Sequence, residues 1–385
     1  MQKVKDILQT ILTLAIIAGI TTVLYLYTSG YRLQKNTDKV IDLTKTGMIN
    51  AKSTPDSAGV YLDGKLVTAT NNAISGVEPG AHSLKISKRG FVEWKKDIEV
   101  FPELVTDITA ILISQSPRLD PLTNTGARNP SVSHSLGKLA YFSEDLTDPG
   151  IYVIPLSGIN VNLFRSNPNL ALKDTRVTKY SQGKSLEWSP DETELLLEGT
   201  NSIFYLVDLE KNTAQTTASP EELRKTWKNT ILQKRLASME RLEVSADIKK
   251  LATSEEAYWS PDGMKFLLTT PYLDKIRYKV YNMEKPLPVG EKTENLVMEV
   301  ASTELQPKFS WYPDSFHFVV TEGNVMEDHK GVVSLIRIDG TNKTEIYSNT
   351  LFSDQAFSTK DGDKAVILTS FKSGSQTDLY TIGIR

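Results

Sequence analysis

The chain has 385 residues and a formal net charge of −3, from 44 Lys and Arg against 47 Asp and Glu. That length implies two or three domains, and interspersed charges with no basic block or acidic tail exclude nucleic acid as the expected partner. The absence of cysteine excludes disulfides, thiolate metal sites, cysteine nucleophiles and a lipid attached through an N-terminal Cys.

Ile7 to Thr28 form an uncharged, mostly apolar run, and no second one follows. A helix needs about 20 such residues to cross a hydrocarbon core of roughly 30 Å. The run is longer than a signal-peptide h-region and ends in Tyr25-Leu26-Tyr27-Thr28-Ser29-Gly30-Tyr31 with no A-x-A cleavage site. A retained anchor over residues 1–31 is therefore expected, with a cleaved signal as the alternative. Tyr25, Tyr27 and Tyr31 suit an aromatic belt, and Arg32 and Lys35 suit snorkelling at the same end. Lys3 and Lys5 before the run balance Arg32, Lys35 and Lys39 after it, so charge alone does not orient the helix.

Residues 32–46 are polar and read as a tether. From Gly47 the pattern becomes that of strands. Gly59-Val60-Tyr61-Leu62 runs into Asp63-Gly64, a two-residue hairpin turn in which both positions need positive φ. His82 to Ser87, Phe91 to Val100 and Thr106 to Ile113 alternate polar with apolar, and Gly76, Pro79-Gly80 and Arg89-Gly90 break the runs. Six or so short strands over 47–114 read as an antiparallel β-sandwich. The stretches KSTPDSAGVYLDGK, SGVEPGAHSLKISKRGF and the strand near Asp97–Val100 resemble the PEGA domain family, with Pro55-Asp56-Ser57-Ala58 in place of Pro-Glu-Gly-Ala. The resemblance implies an extracytoplasmic β module near a membrane anchor or cell wall, and no catalytic residues.

Residues 115–385 repeat. VSHSLGKLAYFSE, WSPDETELLLEG, WSPDGMKFLLTTP, WYPDSFHFVVTEG and FSTKDGDKAVILTS each place an aromatic or β-branched residue before a turn and an apolar strand, and a second strand follows each. A hairpin repeated at about 40–50 residues means a β-propeller. Pro-Asp-Gly supplies the turn, with Gly left-handed, and the Trp before it packs one sheet on the next. The first and last repeats lack Pro and read as having one more turn residue. These repeats resemble the WD40-like repeats of TolB-type propellers. Five blades are expected, six being the alternative. The last blade would be completed by a strand near Leu119–Thr123, because the final repeat ends at Arg385 with only its first strands in place. Trp188 and Trp259 are about 70 residues apart, where about 40–45 is usual, and the excess contains Ser219-Pro220-Glu221-Glu222, a helix start. Leu223, Trp227, Ile231, Leu232, Leu236 and Met239 follow at helical spacing, so a helical insertion is expected at about 219–243, packed on its own blade or offered to a partner. The fold class is thus all-β: an N-terminal transmembrane helix, a small β-sandwich and a propeller with a helical insertion.

Little in the sequence carries chemistry. Asp191, Asp262, Asp314 and Asp361 fall at equivalent turns, spread around a rim and too far apart to act together. Asp361-Gly362-Asp363 lacks the longer ligand series of a calcium loop. His82, His134, His317 and His329 have no metal-ligand spacing, with His82 read as a surface residue and Asp328-His329 as a solvated loop. There is no G-x-S-x-G and no phosphate-binding loop. No catalytic, cofactor or metal residue is assigned, no cofactor is expected, and the chain is not expected to be an enzyme. The anchor, β module and propeller together resemble membrane-anchored bacterial proteins. That resemblance implies a cytoplasmic N-terminus and an extracytoplasmic body; with no nucleophile, metal cluster or phosphate loop on a rigid propeller, the body is expected to bind an envelope protein or cell-wall component. The alternative is a propeller-type glycan hydrolase or lyase with acids at the central funnel.

Overall fold

A computed structural model describes residues 2–28, 30–35, 41–157, 168–371 and 376–385. Met1, Ser29 and 36–40, assigned above to anchor and tether, lie outside the described residues, as do the side chains of Lys3, Lys5, Arg32 and Lys35. The chain divides into two compact units. One is Met1–Arg89 with Glu93–Leu112 and Pro288–Glu291; the other is Gly90–Val92, Ile113–Leu287 and Lys292–Arg385.

The first unit opens with helix α1 (Gln2–Thr28), whose stretch Leu8–Thr28 is 21 residues long and apolar enough to cross a membrane. Gly30 donates its N–H to Tyr27 O at 3.3 Å and ends the helix with φ +83°. The stretch read as a tether instead contains two strands, β1 (Tyr31–Lys35) and β2 (Ile41–Lys45), paired antiparallel with Leu33 opposite Leu43. Each alternates over five residues only, Tyr31 with Leu33 and Ile41 with Leu43, too short a run to stand out in a polar stretch.

Seven strands follow: β3 (Gly47–Thr54), β4 (Gly59–Leu62), β5 (Lys65–Ala69), β6 (Asn72–Val77), β7 (Gly80–Ser87), β8 (Trp94–Val100) and β9 (Val105–Ile111). They form a three-stranded sheet β6-β3-β9 and a four-stranded sheet β5-β4-β7-β8. Alternate residues Ile49, Ala51, Val60, Leu84, Ile86, Trp94, Ile98, Ile108 and Ala110 are buried. One pair departs from the antiparallel expectation: β3 and β9 run parallel, Met48 opposite Val105 through Thr54 opposite Ile111. Alternation fixes which face a side chain takes but not which way its strand runs, and the intervening strands supply the crossover that a parallel pair needs. The Asp63-Gly64 turn has φ of +50° and +81°, and Leu62 pairs with Lys65 across it.

This turn holds the β domain's one histidine. Asp63 Oδ1 accepts Ser83 N–H at 3.0 Å, while His82 places Nδ1 2.7 Å from Asp63 Oδ2 and Nε2 2.7 Å from Glu78 O. Two acceptors at the two ring nitrogens call for both to be protonated. Burial pulls the His82 pKa down, but the bonds to Asp63 and Glu78 outweigh it and the net shift is upward. The His82 bond holds the Asp63 carboxyl below its ordinary value.

In the second unit β10 (Leu119–Pro121) precedes five sheets of four strands, each strand antiparallel to its neighbours. Sheet one is β11 (Arg128–Val132), β12 (Lys138–Ser143), β13 (Gly150–Pro155) and β14 (Asn169–Lys173). Sheet two is β15 (Ser185–Trp188), β16 (Glu194–Glu198), β17 (Phe204–Asp208) and β18 (Thr213–Thr217). Helices α2 (Pro220–Arg241) and α3 (Ala246–Ala252) follow; the second has no counterpart in the sequence reading. Sheet three is β19 (Tyr258–Trp259), β20 (Lys265–Tyr272), β21 (Lys275–Asn282) and β22 (Glu294–Ala301). Sheet four is β23 (Lys308–Trp311), β24 (His317–Glu322), β25 (Lys330–Arg337) and β26 (Thr344–Thr350), with the single-turn helix α4 (Val325–Asp328) between β24 and β25. Sheet five is β27 (Phe357–Ser358), β28 (Lys364–Thr369) and β29 (Asp378–Gly383), with β10 as its outer strand: Leu119 faces Ile382 and Pro121 faces Tyr380.

The second strand of these sheets is buried on both faces. In β12, Leu139 and Tyr141 pack with Phe357, Val366 and Leu379 of sheet five, while Ala140 and Phe142 pack with Trp188, Leu195 and Leu197 of sheet two. The tryptophans stitch neighbours. Trp188 Nε1 donates to Ser131 O at 3.0 Å and Trp311 Nε1 to Tyr258 O at 3.1 Å, each reaching the first strand of the preceding sheet. Trp259 instead bonds Ala252 O of α3 at 2.9 Å, because the helices occupy that side of its sheet.

The β10–β11 segment is latched to β29 by a buried carboxylate. Asp378, 2% exposed, accepts Thr123 Oγ1 and Gly126 N–H through Oδ1, both at 3.0 Å, and Thr123 Oγ1 in turn accepts Leu379 N–H at 2.9 Å. Asp378→Ala leaves those donors without their acceptor, and hydrogen bonds to a charged group are worth about 1.5–3 kcal/mol. We expect a loss of about 2–3 kcal/mol in denaturant unfolding; an unchanged midpoint would remove the latch from the stability of the second unit. A chain beginning at residue 130 lacks β10 and the latch altogether, and should melt below one beginning at residue 114.

The His82–Asp63 pair has its own signature. A raised histidine pKa adds stability below the unfolded value of 6.5 that is lost as pH rises through the folded value; a lowered aspartate pKa adds stability that is lost as pH falls below 3.8. The pair should therefore stabilise most between those limits. An NMR titration should place the His82 pKa above 6.5, falling in Asp63→Asn; a wild-type value at or below 6.5 would contradict the doubly protonated ring.

Candidate functional site

Five residues separate the first strand from the second in every one of the five sheets, so the first and last repeats do not carry the extra turn residue that their sequences suggest. The five turns have one geometry. Ser133, Ser189, Ser260, Tyr312 and Thr359 each donate a backbone N–H to the residue five places on, at 2.9–3.0 Å, and accept one from the residue three places on, at 2.9–3.0 Å. That third residue is left-handed in all five: Leu136 (φ +57°), Glu192 (+59°), Gly263 (+69°), Ser315 (+58°) and Gly362 (+66°). Glycine is needed for a second reason at Gly362, where a Cβ would lie 2.5 Å from Tyr312 Oη.

Three of the four repeated aspartates, Asp191, Asp262 and Asp314, serve these turns. Asp191 Oδ1 takes Ser189 Oγ at 2.6 Å and Thr193 N–H at 3.2 Å. Asp262 takes Ser260 Oγ at 2.5 Å and, through Oδ2, the ammonium of Lys265 at 2.9 Å. Lys265 is wholly buried, is also paired with Glu284, and stands 4.1 Å from the centre of the Phe316 ring. Asp314 takes Phe316 and His317 N–H and pairs with His317 Nδ1 at 2.7 Å; burial works to raise its pKa, but the His317 interaction wins and the net shift is downward. Neighbouring turns touch: Ser135 donates to Glu192, and Asp262 N–H to Ser315 Oγ at 3.2 Å. The side chains of these turns are thus largely engaged with one another and with the turn backbone.

The opposite end holds the candidate site. Adjacent strands alternate in direction, so the segments leading into the first strands and the loops after the second strands return to one side. There a hollow of about 350 Å³ lies beside β11, β15 and β27, lined by Asn129, Ser131, Lys184, Leu186, Met326, Phe352, Asp354, Gln355 and Phe357 among others. Its walls are pinned. Asn129 Nδ2 donates to Lys184 O at 2.8 Å, Asp354 pairs with Lys308 at 3.8 Å, and His329 stacks on Phe352 with centroids 4.4 Å apart. His329 caps α4, its Nδ1 3.1 Å from Val325 O, and Asp328 and His329 are both exposed, as the sequence suggested. Met326 on α4 is 70% exposed over the hollow. Asp354 is the carboxylate in its lining.

A larger cleft of about 710 Å³ lies between the β10–β11, β12–β13 and β28–β29 segments. Its acids are engaged: Glu144 pairs with Arg128 at 3.1 Å, and Asp145 Oδ1 accepts Thr147 N–H at 2.6 Å within its own loop. Among the described residues no three His, Asp or Glu are grouped as a metal site. His134 is exposed, His82 and His317 are committed to Asp63 and Asp314, and Asp363 accepts Thr359 Oγ1 at 2.9 Å. Trp227 of α2 is half-buried, on the side where Arg224 bonds Glu187 of sheet two. Sequence reasoning missed the hollow because its lining comes from strand starts and a lone methionine that no motif marks.

No curated protein matches the chain in sequence. Similar solved structures include TolB from Acinetobacter baumannii, at 13% identity and a TM-score of 0.26, covering 78% of this chain and 59% of that one. Putative TolB from Agrobacterium tumefaciens is similar at 12% identity and a TM-score of 0.25, covering 89% of this chain and 100% of that one. Oligogalacturonate lyase from Vibrio parahaemolyticus is similar at 9% identity and a TM-score of 0.32, covering 70% and 97%. The chain spans 59% of the length of the Acinetobacter protein, and at these identities and TM-scores no site or activity passes from any of the three to this one. The family match covers residues 46–114, which fit the model of the PEGA domain.

Proposed function

We propose that this is a single-pass membrane protein whose body binds a partner of the cell envelope, a protein or a cell-wall glycan, and does not catalyse. In this reading α1 is a retained anchor with its N-terminus in the cytoplasm. The five sheets are the blades of one five-bladed propeller, with β10 against β29 as its seam, and the hollow beside β11, β15 and β27 is the mouth of its funnel.

The observation that carries the reading is the make-up of that hollow. Its polar side chains are held by backbone and ionic partners, and its rim offers an exposed methionine beside an aromatic pair. Such a surface gives contact area with a few fixed polar groups, as binding sites do. Glycoside cleavage instead asks for two carboxyl groups about 5–10 Å apart. The apolar helix and the PEGA domain support an envelope location.

The full chain in nanodiscs, offered purified envelope proteins and cell-wall fragments in turn, should retain a specific one. Met326→Glu puts a charge on an exposed rim position and should weaken retention at least several-fold without lowering the melting temperature. Turnover of a glycan, lost in Asp354→Asn or Glu144→Gln, would replace binding with catalysis. Protease added outside opened cells should remove the body while α1 stays with the membrane; a processed N-terminus near residue 30 would replace the anchor with a cleaved signal.

A further inference from the structure

Within the first unit, the turn between β8 and β9 is built in an unusual way. Phe101-Pro102-Glu103-Leu104 closes with Leu104 N–H on Phe101 O at 3.4 Å, and Glu103 holds φ +63° behind Pro102. The fold leaves three large apolar side chains in the open there: Phe101 is 36% exposed, Leu104 48% and Val105 42%. Their backbone, by contrast, is fixed. Glu103 N–H bonds Thr46 O at 3.0 Å and Met48 N–H bonds Leu104 O at 3.0 Å. A Cβ on Gly47 would lie 2.4 Å from Phe101 O, so only glycine lets the turn come this close.

The same Thr46 is bound to the end of the apolar helix. Its N–H and Oγ1 both donate to Gly30 O, at 3.0 and 2.6 Å, and Gly30 N–H reaches back to Tyr27 O. Helix end, Gly30, Thr46 and Glu103 thus form one backbone chain two strand spacings wide, which keeps the turn within about 10 Å of the helix end. The interfacial layer on each side of a bilayer is roughly 5–8 Å deep. Charge at the turn is cancelled locally: Lys45 Nζ lies 2.7 Å from Glu103 Oε1 and 5.5 Å from the centre of the Tyr31 ring. A rigid apolar tip with a neutralised acid, tied to the end of a membrane span, is built for the headgroup boundary.

We propose that Phe101, Leu104 and Val105 insert into the membrane interface as a second contact beside α1, so that the PEGA domain lies on the bilayer at a set angle. This rests on the anchor reading of α1. The occupant is the lipid boundary layer itself, and the apolar contact should form on zwitterionic as well as anionic vesicles.

The chain has no cysteine, so a single one reports one position. Leu104→Cys and Phe101→Cys, each labelled with an environment-sensitive dye in the full chain on vesicles, should show blue-shifted emission quenched by a lipid-borne nitroxide. Leu66→Cys, at a position 64% exposed on β5, should be quenched several-fold less. Flotation of the same samples reads the anchor separately. Floating chains with equal quenching at 104 and 66 would overturn the inserted turn and leave the anchor standing. Chains that fail to float would overturn the anchor and this inference with it. Quenching only on anionic vesicles would replace apolar insertion by attraction to Lys45.

Discussion

The structure of the second unit depends on one constraint: its sheets are apolar on both faces, and a sheet of that kind is stable only between two others. The strands β12, β16, β24 and β28 read KLAYFS, ELLLE, HFVVTE and KAVILT, and their side chains are buried almost without a break. Alternation of the kind seen in β8 and β9 belongs to a sheet with one wet face; continuous apolar strands belong to one with none. Each sheet then needs a neighbour on either side, and sheet five finds its outer strand in β10. Asp378 makes that pairing specific, because a buried carboxylate is tolerable only where Thr123 and Gly126 present their donors.

The same constraint explains what could be read from the sequence. The Trp before each turn, the apolar strand after it and the spacing of the repeats are packing signals, and packing acts on residue type directly. So Trp188, Trp311 and the β10 segment stood out, as did the helix start at Ser219. What could not be read was backbone direction and conformation. Leu136 and Glu192 take the left-handed conformation that Gly263 and Gly362 take freely, since the turn's hydrogen bonds and strand ends dictate it. Counting glycine and proline there suggested a longer turn where none exists. Strand β9 showed its buried face through Ile108 and Ala110, yet nothing local to it records that its partner β3 runs parallel.

The candidate site was less legible than the fold, for a physical reason. Residues that build turns repeat, because each sheet needs the same turn. Residues that line the hollow occur once each, from strand starts in three sheets and from α4. Their role comes from convergence across more than 200 positions of sequence, with no periodicity to reveal it. Three of the four repeated aspartates are therefore absorbed by structure: Asp191, Asp262 and Asp314 hold hydroxyls, amides and cations of their own turns, while in the fifth turn Asp363 rather than Asp361 takes the Thr359 hydroxyl.

The two helices between sheets two and three show how the constraint can be met without a sheet. Trp259 stands where Trp188 and Trp311 stand in their repeats, but its indole bonds Ala252 of α3 rather than a preceding strand. Met239, Ala252 and Ala257 pack with Phe266 and Tyr281, and Arg224 and Lys234 of α2 bond Glu187 and Pro190 of sheet two. The insertion thus serves as packing for both sheets. Arg235, its guanidinium 5.3 Å from the centre of the Trp259 ring, has its pKa lowered by burial, yet an arginine stays charged at any physiological pH. A desolvated cation held on an indole face is favourable where water is excluded. The Ala252 bond takes the place of the strand-to-indole bond of the other repeats, and the Arg235 contact covers the ring face beside it, so a long insertion sits at this junction while Trp259 remains in use.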